Sequence, residues 1–295
     1  MRFGVCFAIM LCLATVATPS AAQSAQPPAI HATAATLWFS EQFVLHSTNV
    51  GRDFLIQVSM PERPVPGRTP AVFLLDGNVT FGTAAAMFDA GGMAEAFEPA
   101  FVVGISYPGA TRQDWLRLRQ IDLTYGRLPV MPGRPEEPAG TTGGGAAFAR
   151  FLTSELRPVI EARYHSNPHR AILVGHSLGG LFVTHLLLNS LGAFYAYLIG
   201  SPSLWGEPGL LEQAGTFVAP TRTEVVIGVG ESEALLFNDS YHMVGNASTL
   251  AALLRRREAN IDLTFQIVPE VGHMGVIPTL FQRGFHLLLG PPGRP

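Results

Sequence analysis

The chain has 295 residues, of which 47% are hydrophobic and 14% charged, with a net charge of −3. That balance supports a large buried core and excludes bulk disorder, and it lacks the basic excess of a nucleic-acid binder. Lysine is absent and both cysteines, Cys6 and Cys12, lie near the N-terminus, so a Schiff-base lysine, a Walker lysine, a Ser-Lys dyad and, further along, a thiol nucleophile or cysteine-ligated metal are excluded.

Arg2 followed by the apolar run Phe3–Ala17 and the small residues Ser20, Ala21 and Ala22 has the build of an export signal over residues 1–22, with Gln23 as the mature N-terminus. The run is too short for a stable membrane span, so we expect a periplasmic or secreted protein with no stable membrane anchor after cleavage. Residues 23–35, rich in Ala, Pro and Gln, read as a flexible lead-in, and 36–295 as a single domain.

From Arg52 to Met60 apolar residues alternate, with Phe54, Ile56, Val58 and Met60 on one face, as in a half-buried strand. Pro61, Pro64, Pro66 and Pro70 mark the following loop. Residues 71–75, 101–105, 171–174, 197–199, 225–229 and 263–268 are short continuous apolar runs, the pattern of strands buried on both faces. Helical spacing appears at Phe148–Ile160, Leu178–Leu191, Met243–Leu254 and Val276–Leu289. Strands alternating with helices predict an α/β fold, a mostly parallel central sheet with helices on both faces. Residues 107–145, with five prolines and the Gly143-Gly144-Gly145 end, read as a long insertion loop and a possible lid on the carboxyl edge of the sheet.

Gly175-His176-Ser177-Leu178-Gly179 falls between a predicted strand and a predicted helix. Gly-x-Ser-x-Gly in that context is the turn that lifts a nucleophilic hydroxyl off the sheet edge, and glycines two before and two after the serine keep side chains out of the crowded turn. His273, between Gly272 and Gly275 after the last predicted strand, is the candidate base; His286, inside the final helix, reads as structural. The acid is sought after the strand ending near Val229, where Glu231, Glu233 and Asp239 all qualify. One oxyanion donor is the N–H of Leu178, and the other comes from Gly77 or Asn78 in the turn after residues 71–75. Asp76 in that turn reads as a plain turn residue.

Leu74-Leu75-Asp76-Gly77-Asn78, the run Arg119–Thr124, the Phe151–Pro158 pattern, Gly175–Gly180 and Ser201-Pro202-Ser203-Leu204-Trp205 together resemble the putative-esterase family of α/β-hydrolases, and within it the siderophore (enterobactin-type) esterase branch most of all. The resemblance implies an α/β-hydrolase fold and a serine carboxylic ester hydrolase working through an acyl-enzyme, on a small-molecule ester such as a siderophore ester or lactone. It points to Glu233 as acid and to Asn78 as oxyanion donor, while some siderophore esterases are described as working with a Ser-His dyad. A general or feruloyl-type carboxylesterase, an acyltransferase and a non-catalytic binding relative are the alternatives. Arg119, His176 and Trp205 are candidate substrate-site residues; Arg112, Arg117 and Arg127 add cations to the same stretch. The family's usual proline after Asp-Leu-Thr is Tyr125 here. No cofactor or metal is implied, since no His-Glu-x-x-His or similar ligand spacing occurs, and no sequence feature sets an oligomeric state.

Overall fold

The computed structural model describes residues 36–93, 96–131, 136–190, 192–256 and 260–290, with backbone only at 236–238. The expected export signal and lead-in lie outside the described residues. Eight strands form one sheet: β1 Ser40–Ser47, β2 Arg52–Ser59, β3 Ala71–Leu74, β4 Phe101–Ser106, β5 Ala171–His176, β6 Ala196–Gly200, β7 Thr223–Gly230 and β8 Ile261–Val268. Their spatial order is β1-β2-β4-β3-β5-β6-β7-β8. The β1/β2 and β2/β4 pairs are antiparallel and the other five are parallel.

The apolar runs are buried twice over because successive side chains leave the sheet on opposite faces. Phe73, Leu173, Tyr197 and Ile227 enter a core with helices α3 Gly145–Arg150, α4 Arg157–Tyr164, α5 Leu178–Asn189, α6 Gly209–Thr216 and α7 Met243–Arg255. Val72, Leu74, Val174 and Leu198 enter the other, with α1 Gly77–Met93 and α8 Val276–Leu288. Phe54, Ile56 and Val58 of β2 are fully buried, on the face their alternation indicates.

Three sequence expectations change. Residues 263–268 form an edge strand, not one buried on both faces; Thr264 and Gln266 interrupt the run, and most of its side chains are only partly covered. The helix expected from Phe148 contains a π-helical stretch, Phe151–Leu156, before α4. Phe148, Leu152, Leu156 and Ile160 recur every four residues, slower than the α-helical 3.6, and Pro158 has no N–H for the ladder. Finally, the 107–145 segment is not all loop. It carries an eleven-residue helix, α2 Arg112–Asp122, started by a reciprocal capping box between Thr111 and Asp114.

Candidate active site

The parallel register aligns the carboxyl ends of four strands. His176 of β5 pairs with Gly200 of β6, Gly200 with Gly228 of β7, and Gly230 with Val268 of β8. Everything that follows these positions emerges on one edge.

Ser177 sits between β5 and α5 at φ 62° and ψ −117°, a conformation that costs a non-glycine residue roughly 1–3 kcal/mol and clusters at functional sites. Its N–H donates to Gly200 O at 2.9 Å, and its carbonyl accepts from Leu181 N at 2.9 Å and Ser203 N at 3.1 Å. A Cβ at Gly175 would lie 2.3 Å from Gly179 O, and one at Gly180 would lie 2.6 Å from Gly200 O. At Gly179 the nearest atom would be Asp76 Oδ2 at 3.4 Å, an ordinary contact. The downstream glycine that the turn requires is therefore Gly180 rather than Gly179, because the first turn of α5 crosses the end of β6 at backbone distance.

His273 lies in the loop between β8 and α8. Its Nδ1 is 2.7 Å from Glu233 Oε2. Glu233 is fully buried, and its other oxygen, Oε1, accepts from Ser201 Oγ at 2.6 Å and Gly230 N at 2.8 Å. Glu231 points elsewhere: its Oε2 accepts from Glu270 N at 3.0 Å, bracing the turn that leads to His273. Asp239 lies against His242, 3.3 Å from its Nδ1. Of the three carboxylates weighed from the sequence, Glu233 is the one that meets the imidazole.

The ring of His273 lies 4.5 Å from that of His176, the residue before Ser177. Ser177 and His273 themselves are not hydrogen bonded among the described residues; Ser177 Oγ has Ser203 Oγ as its neighbour, at 3.4 Å. Catalytic hydrogen bonds that are absent or long in a ligand-free site often close when substrate is bound.

Leu178 N–H and Asn78 N–H belong to the first turns of α5 and α1, where helical N–H groups lack an intrahelical acceptor. Gly77 has a different task. A Cβ there would fall 2.8 Å from Ile105 N, so glycine lets α1 start against β4. Asn78 is clasped to β4's exit: its Oδ1 accepts from Tyr107 N at 3.0 Å and its Nδ2 donates to Tyr107 O at 3.4 Å.

The three expected substrate-site residues divide. Arg119 is buried, and its Nε and Nη2 donate to the two oxygens of Asp76 at 2.7 and 2.8 Å. Burial opposes its charge, but Asp76 outweighs burial and holds the guanidinium protonated. Much of its hydrogen-bonding capacity is thus used inside the protein. Asp76, read from sequence as a plain turn residue, also accepts from Trp115 Nε1 at 3.0 Å and so ties α2 to the turn before α1. His176 is buried too; burial first, then the neighbouring His273 and Arg119, push its pKa well below the usual histidine value, so it is neutral. It is the last residue of β5 and faces the α1/α8 side, which is why it packs beneath His273 instead of lining an open cleft. Trp205 is half-buried, edge-on to Tyr241 at 4.9 Å. Tyr125, in place of the family's proline, stacks on His185 at 3.3 Å and on Phe182 at 5.7 Å, pinning its segment to α5.

Ser201 and Ser203 stand within the motif Ser201–Trp205, but nothing in composition or period gives either one a partner; only the fold brings them to Glu233 and Ser177. No cluster of three or more metal-binding side chains occurs among the described residues, and no described helix is long and apolar enough to cross a membrane.

Comparison with known proteins identifies the family. The family described as Putative esterase matches residues 47–247. The ferri-bacillibactin esterase BesA of Bacillus subtilis is 32% identical over 278 residues, covering 86% of this chain and 91% of its own. The siderophore triacetylfusarinine C esterase of Aspergillus fumigatus is 34% identical over 194 residues, 61% of either chain. The crystal structure of the BES protein from Bacillus cereus superposes with a TM-score of 0.76 at 28% identity, covering 89% of this chain and 99% of that one. The chain belongs to the esterase family of α/β-hydrolases and is an ester hydrolase.

Proposed function

We propose that the protein hydrolyses the ester or lactone bonds of a siderophore through a Ser177 acyl-enzyme. The observation that carries the chemistry is the 2.7 Å Glu233–His273 contact, with its carboxylate fully buried and the imidazole 4.5 Å from the ring of His176, the residue before a strained serine at the start of a helix. With Nδ1–H donated to Glu233, Nε2 of His273 is the unprotonated nitrogen, the form a general base needs. His273 takes the Ser177 proton as Oγ bonds to the ester carbonyl carbon. The developing oxyanion is held by the N–H groups of Leu178 and Asn78. Collapse breaks the bond to the alcohol oxygen, which leaves with the proton from His273. Water, deprotonated by the same imidazole, then releases the acid and restores the serine.

The substrate class rests on the relatives: a ferri-bacillibactin esterase aligned over most of both chains, and a triacetylfusarinine C esterase over part. Export is part of the proposal, and it rests on Arg2, the apolar run Phe3–Ala17 and the small residues Ser20, Ala21 and Ala22. N-terminal sequencing of mature protein is expected to begin at Gln23.

A serine-directed fluorophosphonate is expected to label the wild type and not Ser177→Ala, and kcat of that variant is expected to fall by roughly 10³ to 10⁶. Equal labelling of the two defeats the mechanism. A cyclic tri-ester siderophore is expected to be turned over with a higher kcat/KM than p-nitrophenyl butyrate. A preference for the simple ester defeats the substrate assignment while leaving the mechanism standing.

A further inference from the structure

We infer that Ser201 is a positioning residue for the reaction: its hydroxyl holds Glu233 in the one orientation that presents a carboxylate oxygen to His273. The inference rests on the Ser177–His273–Glu233 reading above and goes beyond it, adding a fourth side chain that touches neither substrate nor nucleophile.

Ser201 is fully buried, at φ 39°, immediately after β6. Its backbone N–H is already used, donating to Gly228 O at 2.7 Å. The hydroxyl has one partner, Glu233 Oε1, at 2.6 Å, at the short end of the O–H···O range. A buried hydroxyl without a partner is unfavourable, and so is a buried carboxylate with unfilled acceptor sites. Each here answers the other. Gly230 N also donates to Oε1, at 2.8 Å, so that oxygen is engaged from two directions and Oε2 is left for His273 Nδ1. Gly230 reaches Glu233 from its own strand, whereas Ser201 reaches it from the neighbouring one. Without Ser201 the carboxylate is held only by Gly230, three residues before it, and by His273 itself; the Ser201 hydroxyl adds the restraint from a separate part of the chain, the turn after β6.

The backbone around Ser201 suits this task. Gly200 O accepts from Ser177 N, and Ser203 N donates to Ser177 O. The turn Gly200–Ser203 therefore grips the nucleophile by its backbone on one side and the acid by the Ser201 hydroxyl on the other. The left-handed φ of Ser201 is what turns its side chain toward Glu233 at the point where the chain also enters Pro202.

Ser201→Gly isolates the role. Glycine adopts φ 39° without strain, so the backbone is preserved or relaxed while the hydroxyl is lost. With the siderophore tri-ester or p-nitrophenyl butyrate, kcat is expected to fall roughly tenfold with KM within about twofold, and Tm to stay within a few degrees of wild type. In the Glu233→Gln background, the same Ser201→Gly change is expected to cost less than about twofold, because residues acting through one another are not additive. Wild-type kcat in Ser201→Gly, or the same loss in both backgrounds, overturns the inference. Ser177→Ala separates the two readings: its retention of activity removes the catalytic reading altogether, whereas its loss beside an unaffected Ser201→Gly removes only the role of Ser201.

Discussion

Two glutamates two positions apart leave the end of β7, and their side chains do different things. Glu233 turns inward to His273, while Glu231 remains at the surface and accepts from Glu270 N, a residue at φ 60° in the turn before the histidine. Replacing a buried acid by its amide reverses the hydrogen-bond preference of the imidazole, so Glu233→Gln is expected to lower kcat by about 10² to 10⁴. Glu231→Gln keeps an acceptor for Glu270 N and is expected to change kcat by less than about threefold. Steady-state kinetics on one ester separates them. At this scale the serine and histidine were legible because each sits in a glycine-bounded local pattern. The choice of acid was not legible from the residues themselves, since alternation gives Glu231 and Glu233 the same direction. The 3₁₀ turn over Glu231–Asp239 breaks that alternation and sends them apart. Arg119 shows the opposite limit: a cation in a polar stretch gives no sign that Asp76, forty-three positions away, takes up its charge.

At the scale of elements, the strand-turn-helix around Ser177 depends on close backbone approach, and the glycines there are not equivalent. Gly180→Ala drives a methyl into Gly200 O and Pro202, and Gly175→Ala drives one into Gly179 O. Each is expected to destabilise the protein by about 1–3 kcal/mol or more, because overpacked sites yield by shifting backbone. Gly179→Ala meets only ordinary contacts and gains helix propensity, so its urea midpoint is expected near wild type. β5 and α5 could be read from sequence because the apolar period switches sharply at the serine. α1 could not: Gly77–Met93 carries four glycines and a single charge, Asp89, and is apolar nearly all round, so no stripe marks it as helical. Nor could α6, which is short. α2 was hidden by the prolines that flank it, although Thr111 and Asp114 hold the capping signal three residues apart.

For the whole molecule, stability couples to pH through two carboxyls that pull in opposite directions. Asp122 is fully buried where α2 meets the central sheet. Its Oδ2 accepts from Tyr107 OH at 3.0 Å, and Oδ1 lies 3.0 Å from Arg52 Nη2. Burial pushes its pKa up to about 6, with Arg52 and Tyr107 opposing only in part. The unfolded chain ionises this carboxyl near pH 4, so between pH 4 and 6 the folded state holds the extra proton. Its favourable contribution is therefore complete below pH 4 and disappears as pH rises through 6, a change on the order of 3 kcal/mol. Glu155 behaves inversely. Burial raises its pKa, but hydrogen bonds from Ser47, Thr48 and Asn49 outweigh burial and hold it down at about 2. The stabilisation from this anchor of the β1–β2 turn is present above pH 4.5 and fades as pH falls toward 2. Asp122→Asn is expected to remove the Asp122 share of any fall in Tm between pH 4 and 6 and to leave the acid limb below pH 4 unchanged; thermal melts across that range test both halves. Doubly covered strands and the alternation with helices made the architecture legible at this scale, whereas the placement of β8 at the edge depends on sheet order, which no local run encodes.

The serine, acid and imidazole hang from β5, β7 and β8, all later in the chain than residue 170, while α2 and Tyr125 lie in the stretch between β4 and α3 and are moored through Trp115, Arg119 and the Tyr125–His185 stack. The backbone donor Asn78 apart, the groups proposed for bond-breaking and the α2–Tyr125 stretch thus come from separate passages of the polypeptide. Changes within residues 107–145 that keep Trp115, Arg119 and Tyr125 are therefore expected to leave the Glu233–His273 contact in place.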